Sequence, residues 1–186
     1  MIKEKIDAFT QNICEYNNFT SDQTEEIKYS VKIITLEVIK LFIVISLFSV
    51  FGYFKEISIL IFVMSLTKPF TGGYHENTQS RCLVATIILS LIIITLYKNN
   101  DLNLISIILL NFINIFSVYH QAPIINTDMP LTRADLINKN KWLAIINCFI
   151  FFIISIILHE YKIYSNIITW TLFINSCLMF NSKHKN

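Results

Sequence analysis

Glycine and proline are scarce in this 186-residue chain, three of each, and charged side chains make up only 15% of it. So few turn formers leave little for long turn-rich loops or strand bulges. So little charge, beside 54% hydrophobic residues and a mean hydropathy of +0.55, excludes an ordinary soluble domain and leaves apolar length for several membrane spans. The Ile, Leu and Phe runs exceed the roughly nine to eleven residues of a barrel strand and lack its alternation, so helices are the spanning structure. A cleaved signal is not expected either, because residues 1–32 are dotted with charge and have no apolar core.

These features predict an all-α integral membrane protein of about six transmembrane helices behind an amphipathic amino-terminal helix. Ile2, Ile6, Phe9, Ile13 and Tyr16 recur at three- and four-residue steps, an apolar stripe suited to a bilayer surface or to a partner. Asp22 with Glu25 resembles a capping box opening the next helix. Spans are placed at Ile33 to Gly52, Ile57 to Lys68, Cys82 to Tyr97, Leu102 to Tyr119, Trp142 to His159 and Ile163 to Phe180. The second and third are short for a span of roughly twenty residues, which suggests that their connection dips into the membrane. The expected organisation is an amphipathic segment at 1–32, one membrane domain at 33–180 with loops at 68–82 and 121–141, and a tail at 181–186.

Basic residues set the orientation. Lys3, Lys5, Lys28, Lys32, Lys68, Arg81, Arg133, Lys139, Lys141, Lys183 and Lys185 fall on one side, and only Lys55, Lys98 and Lys162 on the other. By the positive-inside rule both termini and both long loops are expected in the cytoplasm. Of the four cysteines, Cys148 and Cys177 lie inside apolar runs, where a thiol usually serves as a small buried hydrophobe, and disulfides are not expected in this compartment. Trp142, Trp170, Tyr97, Tyr119, Tyr161 and Tyr164 mostly fall near the predicted interfaces, as an aromatic belt would.

Cys82 differs from the other cysteines. It closes the polar stretch that runs from Thr71 to Arg81, with two adjacent glycines, Gly72 and Gly73, and His75 seven residues before it. A helix amino end and Arg81 next door both favour the thiolate, which is the attacking species. Asn77, Thr78 and Ser80 are each eligible as the helix cap. Seven residues of straight helix would hold the His75 and Cys82 backbones about 10 Å apart, so the chain must bend for imidazole and sulfur to meet, and the glycines supply the means.

The order of a basic residue, Gly-Gly-x-His, six residues and Cys, between apolar helices, resembles the AgrB family of peptide-processing membrane endopeptidases of bacterial quorum sensing. Lys68, Gly73, His75 and Cys82 fall at the family's basic residue, glycine, histidine and nucleophile, and Ala122-Pro123 through Pro130-Leu131 is similar to its Ala-Pro and Pro-Leu loop. Two positions depart from the pattern: Ile125 stands where the family often has an acid, with Asp128 the acid here, and Glu76 stands where a small residue is common. The resemblance implies a cysteine endopeptidase that cuts a short AgrD-like precursor through a thioester on Cys82, with His75 as acid and base, and promotes cyclisation to a thiolactone or lactone. It also implies a bacterial cell-membrane protein acting as a homodimer, with no cofactor and no nucleic-acid partner.

Further residues are weighed beside this pair. Lys68, Gly72, Gly73, Gln79 and Arg81 form the supporting loop, with Gln79 considered as an oxyanion donor. Lys68, Arg81, Arg133, Lys139 and Lys141 suit the acidic tail that such precursors often have, although the positive-inside rule explains the same residues. Glu37 and Lys40 read first as an i, i+3 ion pair within a span, then as substrate contacts. His120 is an interface histidine or a partner that orients His75, and Asp128 and Arg133 complete the residues considered for substrate binding. A zinc site would need more ligands than His75 and Cys82 supply. A small six-span transporter or channel without proteolytic activity is the rival function, in which Gly72 and Gly73 break a helix near a midplane site.

Overall fold

A computed structural model describes residues 10–11, 19–72, 78–124 and 134–180 of the chain, without the side chains of Asp22 and Glu26. Among the described residues six long α-helices follow one another: α1 Ser21–Val50, α2 Phe54–Thr71, α3 Gln79–Asn99, α4 Leu104–Gln121, α5 Ala134–Ile157 and α6 Lys162–Phe180. Among the described residues there is no strand, only an isolated parallel bridge between Gly72 and Ile124. The chain is an all-α integral membrane protein, and among the described residues five helices are long and apolar enough to cross a bilayer. The exception is α2, which carries Lys55, Glu56 and Lys68. These charges lie within a turn or so of its ends, where long side chains reach toward the interface, and its 18 residues extend about 27 Å.

Several boundaries differ from the expectation. The helices α2 and α3 have 18 and 21 residues, so neither is short, and the segment between them shrinks from 68–82 to 72–78. Charged and polar residues extend both helices beyond their apolar runs: Pro69 is accommodated inside α2, and Thr67 and Thr71 return their hydroxyls to Val63 O and Thr67 O. Of the loop read as 121–141, Gln121 is likewise the last residue of α4, and Lys139 and Lys141 lie inside α5. At the start of α1 the capping box is Thr20 with Gln23. Thr20 N–H donates to Gln23 Oε1 at 3.1 Å and Gln23 N–H to Thr20 Oγ1 at 3.4 Å. Asp22 lies inside the helix, since Thr20 O already accepts from Thr24 N–H. The amphipathic amino-terminal stripe lies outside the described residues.

Compactness divides the chain into Met1–Ser46 and Leu47–Asn186. In the first unit, Lys40 pairs with Glu37 one turn away, so the i, i+3 ion pair is present. In the second, α6 is the central helix, packing against α2, α3, α4 and α5. Its apolar stretch is 56% buried, against 17–28% for α3, α4 and α5. A helix enclosed by protein can turn polar groups inward, and Ser165, Asn166, Thr169, Thr171, Asn175 and Ser176 are all buried. Trp170 stands midway along α6 rather than at an interface, with its ring edge-on to Phe173. The apolar core joins Val63 of α2, Val118 of α4, Ala144, Cys148 and Phe151 of α5, and Ile168, Leu172 and Met179 of α6.

Polar ties fix the register of these helices. Asn111 of α4, fully buried, donates through Nδ2 to Thr169 Oγ1 at 3.1 Å and Ser155 Oγ at 3.3 Å, linking α4, α5 and α6. Ser165 Oγ donates to Ser155 O at 2.7 Å. Interhelical bonds of this kind average about 0.6 kcal/mol in membranes, so Asn111→Ala is expected to lower unfolding stability by about 1–2 kcal/mol, bond loss and packing loss together. Reversible unfolding of the reconstituted protein measures this, and an unchanged stability would contradict the assignment.

At one end of the second unit, Lys98 bonds the Tyr53 hydroxyl and Lys162 pairs with Asp101. These contacts gather the starts of α2, α4 and α6 and the end of α3. The Lys162 ammonium holds the Asp101 carboxyl below its ordinary value of 3.8, and desolvation opposes it only in part. A depressed carboxyl contributes stability that is present above its unfolded pKa and lost as pH falls through the folded one. The stability gap between the parent protein and Asp101→Asn is therefore expected to be small, because both groups are exposed, and to close between about pH 4 and lower values in thermal melts. A gap that widens on acidification would contradict it.

Candidate active site

The opposite end carries the residues that the sequence singled out. Thr78, in extended conformation, is the cap of α3, and its hydroxyl accepts from Arg81 N–H at 3.4 Å. Cys82 N–H makes the first turn's bond to Thr78 O at 3.0 Å. Cys82 is thus the fourth residue of the helix, half-buried and in no disulfide. Because helical Cα–Cβ bonds tilt toward the amino end, its thiol leans toward the first turn, where the positive end of the helix dipole and the N–H groups of Gln79 and Ser80 lie. The Arg81 and Gln79 side chains are both exposed.

The other cysteines have different surroundings. Cys148 is fully buried in the core, as expected of a small hydrophobe. Cys177, expected to be buried, lies instead on the exposed face of α6, because the helix's buried face is taken by its polar residues and Leu172 and Met179. Cys14 lies outside the described residues.

The last turn of α2 leads into the segment that bears His75. Gly72 ends the helix at φ 70° and ψ −150°, backbone that only glycine adopts without strain. It also lies against Ile124, the residue after Ala122-Pro123: a Cβ at Gly72 would meet Ile124 O at 2.3 Å. Ile124 N–H donates to Thr71 O at 3.0 Å, so the two motif-bearing loops are joined backbone to backbone. Lys68, half-buried, accepts at its carbonyl from Gly72 N–H. His120 is exposed in the last turn of α4, its ring 4.4 Å from Phe116 and 5.2 Å from Tyr119 between centroids. Lys141 of α5 lies over the Tyr119 ring at 5.0 Å. Gly73, His75, Asp128 and Arg133 lie outside the described residues. Glu37 and Lys40 belong to the first unit.

Sequence reasoning missed the polar groups that hold this end. Asn175 of α6 donates through Nδ2 to Thr71 Oγ1 at 3.2 Å, and Asn147 of α5 donates to Leu66 O at 2.9 Å. The available signal was an asparagine inside an apolar run, which in a membrane helix normally faces protein.

The chain is 46% identical over 157 residues to AgrB-like protein 1 of Clostridium perfringens (strain 13 / Type A), covering 84% of each chain. It is 24% identical over 156 residues to accessory gene regulator protein B of Staphylococcus aureus strain Newman, covering 84% of this chain and 82% of that one. It is 22% identical to the protein of the same name from the bovine strain RF122, over 84% and 83% of the two chains. No solved structure matches. The family described as accessory gene regulator B, AgrB, matches residues 6–180, from before the first helix to the last residue of α6, and the chain belongs to that family.

Proposed function

We propose that this protein is the membrane cysteine endopeptidase of a quorum-sensing system, cutting an AgrD-like precursor peptide at the cytoplasmic face and promoting ring closure of the product. The observation that carries this reading is the placement of Cys82: a half-buried thiol in the first turn of a capped helix, following a segment that contains His75.

The chemistry runs in two balanced halves. His75 takes the thiol proton as Cys82 sulfur attacks the scissile carbonyl carbon. The Gln79 and Ser80 N–H groups at the helix start serve as oxyanion donors. The C–N bond then breaks, the amine leaves with the proton from His75, and the acyl group remains on Cys82 as a thioester. A thiol or hydroxyl within the bound peptide gives up its proton to His75 and attacks the thioester carbonyl, which releases the cyclic product and the Cys82 thiol. Lys68 and Arg81, with Arg133, Lys139 and Lys141, attract the precursor's acidic tail.

The test is direct. Liposome-reconstituted protein mixed with a synthetic precursor should yield the carboxyl-terminal fragment and a peptide adduct on Cys82 that hydroxylamine releases, both read by mass spectrometry. An intact precursor with no adduct would sink the proposal in favour of a carrier function.

A further inference from the structure

Asn175 has no part in the chemistry above, yet it is 3% exposed on the central helix and spends its amide on one hydroxyl, that of the fully buried Thr71. Thr71 is the last residue of α2, and its carbonyl accepts the Ile124 N–H. One residue later Gly72 bridges Ile124, and three residues after that comes His75. The turn that leads to this joint is weak by itself: Pro69 has no N–H, so Ser65 O loses its helical donor there. Bonds from three other elements hold it, from Asn147 to Leu66 O, from Asn175 to Thr71 Oγ1 and from Ile124 to Thr71 O. Of these three, the Asn175 bond is the one that reaches the side chain of the residue from which the loop departs, a hydroxyl that itself donates to Thr67 O within α2.

Resting on the proposed activity, we infer that Asn175 is a positioning residue of the reaction: through the Thr71 hydroxyl it fixes the end of α2, from which the segment that bears His75 departs. The hydroxyl is the operative group. Thr71→Val keeps the shape of the side chain but removes the acceptor, whereas Thr71→Ser keeps the acceptor.

The experiment uses the full-length protein in liposomes and two readouts, precursor cleavage and the rate at which iodoacetamide alkylates Cys82 at neutral pH. Loss of positioning is expected to lower kcat about tenfold with KM within about twofold, in Thr71→Val and Asn175→Ala alike. The double variant should be no worse than either single, and Thr71→Ser should keep the parent rate. Alkylation should slow in both impaired variants, as it does in His75→Ala. Parent-level cleavage and alkylation in Thr71→Val and Asn175→Ala, with His75→Ala inactive, would overturn this inference alone. Parent-level rates in His75→Ala would overturn the dyad and the inference with it. A Thr71→Ser variant as impaired as Thr71→Val, or a loss of activity that follows a loss of helical content, would make the contact merely structural.

Discussion

Cys82→Ala is expected to abolish precursor cleavage, and Cys82→Ser to lower it by on the order of a thousandfold or more, because a serine hydroxyl in the same place stays protonated and forms no thioester. His75→Ala should cost on the order of a hundredfold to ten-thousandfold, the usual range for a positioned acid and base. The structure provides the controls. Cys148 is fully buried in the core, so Cys148→Ala should lose some stability but keep its activity. Cys177 lies on the exposed face of α6, and Cys177→Ala should be silent. Fragment yield by mass spectrometry over time decides the matter, and full activity in Cys82→Ala would end the nucleophile assignment.

Gly72→Ala is the second large effect. At φ 70° and ψ −150° an alanine is strained by about 1–3 kcal/mol before any contact is counted. Its Cβ would also fall 2.3 Å from Ile124 O and 3.0 Å from Ile124 N. Both are backbone atoms, so no rotamer change relieves the clash, and the two loops must part. That separation breaks the bridge and the Ile124 to Thr71 bond, and shifts the start of the His75 segment by an ångström or more. Misplacement on that scale lowers turnover by on the order of a hundredfold. Gly52→Ala is the matched control: its φ is 82°, but nothing lies within 4 Å of a Cβ there, and it is at the other end of the unit. It should carry strain and near-parent activity. Equal cleavage by the parent and Gly72→Ala would show that the joint does not govern the site.

Apolar runs announced every helix, yet their ends were read too early at Lys68 and too late at Cys82 and Trp142. Hydropathy marks where lipid contact stops, while a helix continues as long as its backbone is bonded and its charges can reach water. Thr78 was one of three eligible caps, and only backbone geometry chose among them. Asp22 lost to Thr20 because two overlapping capping boxes cannot both open one helix. Trp170 and Cys177 both departed from their expected surroundings, since α6 proved to be the central helix and gave its buried face to polar residues.

By itself the sequence determined that the chain spans a membrane through helices, and marked Cys82, in a polar stretch with His75, as the candidate nucleophile; both follow from local facts, apolar length and the spacing of a base from a sulfur. Tertiary structure alone decided that Cys82 is the fourth residue of its helix, that Gly72 lies against Ile124, and that Asn175 and Asn147 hold the turn before the loop. Thr71 and Asn175 are 104 residues apart, and their pairing depends on which face of α6 turns inward. That choice is a property of the packed bundle, which no stretch of the chain encodes separately.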